Sequence, residues 1–166
     1  MTSMNSLKDL YIDQLQDNYS ANKQMLAVVK DFEKAVSNDK LKSMLTKSKD
    51  GITKHMDTLS SIIEGHGANP NGEHCKGMEG LVKEGRAHGL DAEFGSKAVQ
   101  DAAIITQMQR MSHYGLAGFG TCKAMARELG LDDEHKKIEG ALDDIYEGDD
   151  YLSTLAETQI NEAAAG

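Results

Sequence analysis

A single proline, Pro70, interrupts this chain of 166 residues. Proline stops a helix because it lacks the backbone N–H and clashes with the preceding turn. With one such stop, and with few β-branched runs among its alanines, leucines, lysines, glutamates and methionines, the chain is free to form long helices on both sides of position 70.

Apolar residues recur at helical spacing along most of the chain. Ser6 can cap a first helix running to about Val36. Leu15, Tyr19, Asn22, Leu26 and Val29 share one of its faces. Ser37-Asn38-Asp39 breaks this helix and caps a second, whose inner stripe holds Leu41, Met44, Leu45, Ile52, His55, Met56, Leu59, Ile62 and Ile63. So short a connection makes the pair an antiparallel hairpin. Residues 64–72 are loop chemistry. A shorter helix is expected from Cys75 to about His88, with Met78, Leu81 and Val82 as its apolar edge. A long helix from about Lys97 to Leu129 is stopped by Gly130. The last helix opens at Asp132-Asp133, runs to about Asn161 and turns Ile138, Leu142, Ile145, Leu152 and Leu155 inward. The tail from Glu162 to Gly166 is expected to fray. These pieces make a single all-α domain over residues 1–166, with its core at about 6–161. Four long helices form two hairpins, joined by a crossover that carries a small helix, which is the connectivity of a ferritin-like four-helix bundle.

Charge narrows the partners. A net charge of −9 gives no positive stripe with which to release counterions from nucleic acid, and it disfavours an anionic membrane surface. No apolar run approaches the roughly 20 residues of a spanning helix. No signal-peptide core opens the chain, so a cytoplasmic protein is expected. Cys75 and Cys122 lack zinc-ligand spacing and are expected as reduced thiols. There is no nucleophile elbow, P-loop or dinucleotide fingerprint. Gly115-x-x-Gly118-x-Gly120 falls inside a helix with no strand before it, so it is not a phosphate loop.

Several stretches stand in an order and spacing that resembles the YciE/YciF family of bacterial ferritin-like stress proteins. They are Leu7-Lys8-Asp9-Leu10, Asp17-Asn18-Tyr19-Ser20-Ala21, Cys75-Lys76-Gly77-Met78-Glu79-Gly80-Leu81, Asp101-Ala102-Ala103, and His113-Tyr114 followed by Glu128-Leu129-Gly130. The resemblance spans about residues 6–160. It implies a ferritin-like bundle, a stress-associated role and a homodimer, and it implies a bundle core that typically carries a carboxylate-rich di-metal site. Such a site takes Glu from two helices and Glu-x-x-His pairs from the other two, because two buried divalent cations need several anionic oxygens. At the positions that the resemblance assigns to ligands, this chain has Asn22, Gly51, Ser112, Gly115, and Asp144 with Ile145. Asp149 keeps a following acid, and His55 lies four residues after Gly51. About one inner carboxylate remains, too few for the pair of ions, so no metal and no cofactor are expected.

Small residues gather where the metals would have been: Gly51, Ser112, Gly115 and Gly148. A glycine inside a helix costs about 0.5–1 kcal/mol relative to alanine. Either the helices approach more closely there, or space is kept. In the second case Tyr19, Asn22, Gly51, His55, Ser112, Gly115, Phe119, Ile145 and Asp149 would line a bundle-core pocket for a small organic ligand. His55 and Asp149 are the candidate catalytic acid–base pair, and the plainer alternative is a buried hydrogen bond that satisfies both. Three functions follow, in this order. The first is a non-catalytic stress protein that has lost its di-metal site. The second is a metal-free small-molecule-binding protein or acid/base enzyme that uses the vacated cavity. The third is a mononuclear metal site at His55 and Asp149. His66, His74, His88 and His135 are expected in solvent, and His113 on a helix flank. Met44, Met56, Met108 and Met111 read as core filling. The acids around Asp143 and Asp150 read as a solvated face rather than a Ca²⁺ loop.

Overall fold

Four of the helices begin where a side chain takes over a backbone N–H that has no partner within the helix. In the computed structural model, which describes residues 3–166, Ser6 opens α1 (Leu7–Ala35) by accepting from the Asp9 N–H at 3.1 Å. Asn38 opens α2 (Asp39–Gly65) by accepting from Leu41 at 3.0 Å. The Cys75 sulfur caps α3 (Lys76–Gly89), and Ser96 caps α4 (Lys97–Glu128). α5 (Asp132–Leu155) has no side-chain cap but carries three acids in its first turn, which suit the positive end of the helix dipole.

Glycine closes two of these helices. Gly130 has φ +71°, its N–H reaches the Arg127 carbonyl, and Leu131 reaches back to Ala126. Gly67, at φ +73°, makes the equivalent pair of bonds after α2. Both are left-handed stops that a side chain would strain. Pro70 sits second in the turn Asn69–Gly72, closed by a 2.9 Å backbone bond, a position that its fixed φ suits.

Paired residues give the topology. Along α1 and α4, Asn18 meets Cys122 and the turn after α1 meets Asp101, so these helices run antiparallel. Along α2 and α5, Met44 faces Gly148 and His55 faces Asp144, again antiparallel. α1–α2 and α4–α5 are the two hairpins, and α3 lies in the crossover against α1 and α4. The result is an all-helical bundle. No helix among the described residues is long and apolar enough to cross a membrane.

One buried carboxylate ties the hairpins together at one end. Asp101, 1% exposed, accepts from the Ser37 N–H and hydroxyl and from the Asn38 N–H, at 2.7–2.9 Å. At the other end, Glu134 of α5 accepts the Tyr11 hydroxyl at 2.8 Å and stands 3.1 Å from the His66 ring, which packs edge-on against Tyr11. Burial, then the bond to Glu134, holds the Tyr11 phenol well above its ordinary pKa. Between these ends the apolar core falls into two clusters, one around Phe32, Leu45, Ile104 and Leu155, the other around Tyr11, Leu59, Phe119 and Leu142.

Three expectations from the sequence change. His66 and His135 are not in solvent: His66 faces Glu134, and a His135 ring nitrogen meets the Lys123 carbonyl at 3.0 Å. The tail is helical to Ala165 rather than unwound: α6 (Asn161–Ala165) continues the chain's helical path after a π-helical turn over Ala156–Ile160, whose Ile160 is buried.

Removing the buried Asp101 carboxylate takes the partner from two backbone N–H groups and a hydroxyl of the Ser37–Asn38 turn, and with them the tie between α4 and that turn. We expect Asp101→Ala to lower the unfolding free energy by about 3 kcal/mol, read from the urea midpoint at unchanged slope. A loss under about 1 kcal/mol, the net contribution of one ordinary hydrogen bond, would show that the clamp is dispensable.

Candidate functional site

Halfway along the bundle the two apolar clusters are separated by polar and small residues, and there the packing opens into a cavity of about 360 Å³. α1 contributes Ala21, Asn22 and Met25 to its wall. α2 presents Met44, Ser48, Gly51, Ile52 and His55, which recur at three- and four-residue steps and so form one face. α4 contributes Met108, Met111, Ser112, Gly115 and Phe119, and α5 presents Asp144, Ile145, Gly148 and Leu152. The α1 and α4 residues Met25, Met111, Ser112 and Phe119 are buried, whereas Ser43 and Lys47 of α2 and Asp144, Glu147 and Tyr151 of α5 are exposed. The cavity is thus a slot that enters through the α2–α5 seam and ends against α1 and α4.

Gly51 does not serve close helix approach: a Cβ there would meet nothing within 4 Å. At Gly115 it would meet only the Ile145 methyl, at an ordinary 3.7 Å. The close contact lies elsewhere on α4, at Gly118, where a Cβ would collide with the Asn18 carboxamide.

His55 is the central polar group, 5% exposed, with its ring edge-on to Phe119 at 5.6 Å. Its Nε2 lies 3.1 Å from Asp144 Oδ2. Burial holds the imidazole below its ordinary pKa of 6.5, and the carboxylate offsets this only in part. The ring is therefore neutral at physiological pH and donates its Nε2 proton to Asp144.

The carboxylate that meets His55 is not Asp149. Asp149 takes hydrogen bonds from Gln109 at 3.2 Å and His113 at 2.9 Å, on the side of α5 that faces α4. Five residues separate it from Asp144, which is a rotation of about 140° around a helix axis. Asp144 faces α2 and Asp149 cannot. Tyr19 is likewise absent from the lining and packs instead with the Tyr11 and Leu59 cluster. Asn22, Gly51, His55, Ser112, Gly115, Phe119 and Ile145 do lie together around the slot. His113 is on the flank, with 62% of its side chain exposed.

Sequence reasoning missed the mouth and the methionine wall. Met25, Met44, Met78, Met108 and Met111, five of the nine methionines, line the slot. The available signal was the run Met44, Ser48, Gly51, His55 on one face of α2, matched by Asp144, Gly148 and Tyr151 on α5. Among the described residues no three His, Cys, Asp or Glu side chains converge where a metal ion could sit. The mid-bundle donors are an amide, a hydroxyl, one imidazole and one half-exposed carboxylate, a set that does not fit a pair of divalent ions. Cys75 and Cys122 are free and buried, and burial pushes the Cys122 thiol up to about 12.

Residues 6–165 match the family described as "Domain of unknown function (DUF892)". The chain is 28% identical over 163 residues to Protein YciF of Escherichia coli (strain K12), across 98% of this chain and 97% of that protein. It superposes on the crystal structure of the E. coli stress protein YciF with a TM-score of 0.87 at 27% identity, covering 95% of this chain and 99% of that one. Against YcfI from Rhodopseudomonas palustris the TM-score is 0.85 at 28% identity, covering 93% and 98%.

A depressed histidine pKa has a signature in stability. Above the unfolded value of 6.5 the ring is neutral in both states. As pH falls from 6.5 toward the folded value, the unfolded chain binds a proton that the native ring resists, and stability drops until the native ring is protonated too. In paired denaturation curves, the stability of the parent relative to His55→Gln should be constant above about pH 6.5 and decline below it until it levels off. A difference that grows on acidification would mean that Asp144 dominates over burial.

Proposed function

We propose that this chain, which belongs to the DUF892 family, is a metal-free, ferritin-like, stress-associated protein that binds a small organic ligand in its bundle core. The observation that carries this reading is the slot itself. An apolar recess of about 360 Å³ with a few convergent polar groups has the character of a small-molecule site. Its space is kept by Gly51 at the level where a ferritin-like bundle would place carboxylate ligands. The stress association follows from the likeness to the E. coli stress protein YciF. The loss of the metal site follows from the amide, glycine and serine that replace carboxylates at Asn22, Gly51 and Ser112.

Asp144 is 46% exposed at its side chain and also lies 3.7 Å from Lys54. This weakens its hold on the His55 imidazole, so binding is the reading put forward rather than acid–base turnover. A homodimer, which the resemblance to the YciE/YciF family implies, is the proposed assembly, with neither nucleic acid nor membrane as partner and with the cytoplasm as its place.

Protein purified without chelators should carry less than about 0.2 equivalents of iron, manganese or zinc, since the oxygens that would balance the charge are missing. Near-stoichiometric metal, lost on His55→Ala, would replace this reading with a mononuclear metal site. Gly51→Leu should raise helix propensity and fill the slot, stabilising the fold by about 1–2 kcal/mol and removing the binding of a neutral probe such as Nile red. A destabilised variant that still binds the dye would count against the slot. Light scattering should give twice the 18.0 kDa chain mass, and the mass of a single chain at micromolar concentration would exclude the dimer.

A further inference from the structure

The unpaired hydrogen-bonding groups of the slot bias which ligand it can take. Asn22 gives its Nδ2 to the Asn18 carbonyl at 2.8 Å. A carbonyl only accepts, so the amide is fixed in orientation and its Oδ1 remains an unpaired acceptor. His55, neutral and donating from Nε2 to Asp144, is left with Nδ1 as a second unpaired acceptor. The Ser112 hydroxyl has no partner among the described residues and can take either role. No fully buried side-chain nitrogen or oxygen lacks a partner. These three groups therefore reach accessible space, and their residues all line the slot.

The wall supplies no matching set of donors. Positions 22, 55 and 112 lie in the interiors of α1, α2 and α4, where backbone N–H groups are already paired within the helix. The lining holds one cation, Lys47, which is exposed at the mouth, where the acids Asp144 and Glu147 also stand. An anion drawn inside would lose its hydration, find only the Ser112 hydroxyl and the second Asn22 Nδ2 hydrogen to solvate it, with no charged donor, and face the Asp144 carboxylate. Methionines 25, 78, 108 and 111 make the rest of the inner surface soft and apolar, a wall that adapts to a flat ring and makes sulfur–aromatic contacts.

We propose that the slot selects a neutral aromatic molecule with a hydrogen-bond donor on its inner end, a phenol or aromatic alcohol, and rejects anions of the same shape. This rests on the binding reading above. The volume, near the lower end for small-molecule pockets, suits a compact ligand of a few rings at most.

Three probes of one shape test it: 4-propylphenol, its methyl ether 4-propylanisole, and 4-propylbenzoate, titrated calorimetrically near neutral pH. We expect the phenol to bind about tenfold more tightly than the ether, the effect of one donor meeting an otherwise unpaired buried acceptor, and the benzoate to bind no better than the ether. Asn22→Leu, close in size, should remove the preference for the phenol while keeping the ether's affinity. If that variant does not fold, Ser112→Ala should narrow the same ratio. Equal affinities for phenol and ether, or tightest binding of the benzoate, would overturn the proposed selectivity while leaving a ligand site in place. If neither these probes nor Nile red binds the parent, the binding reading itself fails, and the selectivity with it.

Discussion

Facing helices in a bundle stand about 8–10 Å apart, and side chains must fill that gap at every level. The packing of this protein depends on how it meets that requirement. At both ends apolar clusters fill the bundle with Phe32, Leu45 and Leu155 on one side and Leu15, Leu59 and Phe119 on the other. At the middle the requirement is relaxed. Gly51 offers no side chain, Ser112 and Asn22 offer short polar ones, and the helices stay apart because the two filled ends hold them there. An empty apolar recess costs the dispersion contacts that its lining lacks. Its persistence therefore requires ends rigid enough not to collapse into it.

Much of this was legible in the sequence, and for identifiable reasons. Caps are local: Ser6 and Asn38 each act on an N–H three residues away, and Gly130 acts through its own φ. Helix order and hairpin pairing follow from short connections. The site was legible where one helix face decided it, as for Gly51 with His55, or Ser112 with Gly115. It was not legible where the answer depended on how a helix is rotated about its axis. α5 carries acids all around its exposed faces, and sequence does not say whether residue 144 or 149 points at α2. Packing against Ile145, Gly148 and Leu152 decides that. The π-helical turn at Ala156–Ile160 left no pattern either, because it adds a residue without changing the apolar composition around it.

The glycines of the bundle divide by what surrounds them. Gly118 is required by contact, since the Asn18 carboxamide occupies the place of its Cβ, and Gly85 and Gly89 make room for the Phe32 ring. Gly51 is surrounded by nothing. The first kind lets buried groups approach and adds to cohesion, as where Asn18 reaches the Cys122 sulfur at 3.3 Å. The second kind gives up helix propensity without a contact in return. Residues of identical type on neighbouring helices thus have opposite relations to stability, and only the neighbouring atoms separate them.

The slot opens along α2–α5, one of the two seams whose helices belong to different hairpins. α1 is covalently joined to α2, and α4 to α5, each through a short turn, but α2 and α5 are connected only through the whole crossover and α4. That seam is fastened at its ends, where Asp101 holds the turn before α2 and where His66 meets Glu134. Between the fasteners its polar contacts converge on Asp144, which meets His55 and Lys54. Such a seam bends like a slit in a sleeve bound at both cuffs: it gapes in the middle under small forces while its ends stay shut. For the ligand binding proposed above, entry by a breathing motion of two intact hairpins needs no helix unwinding and no loop acting as a door.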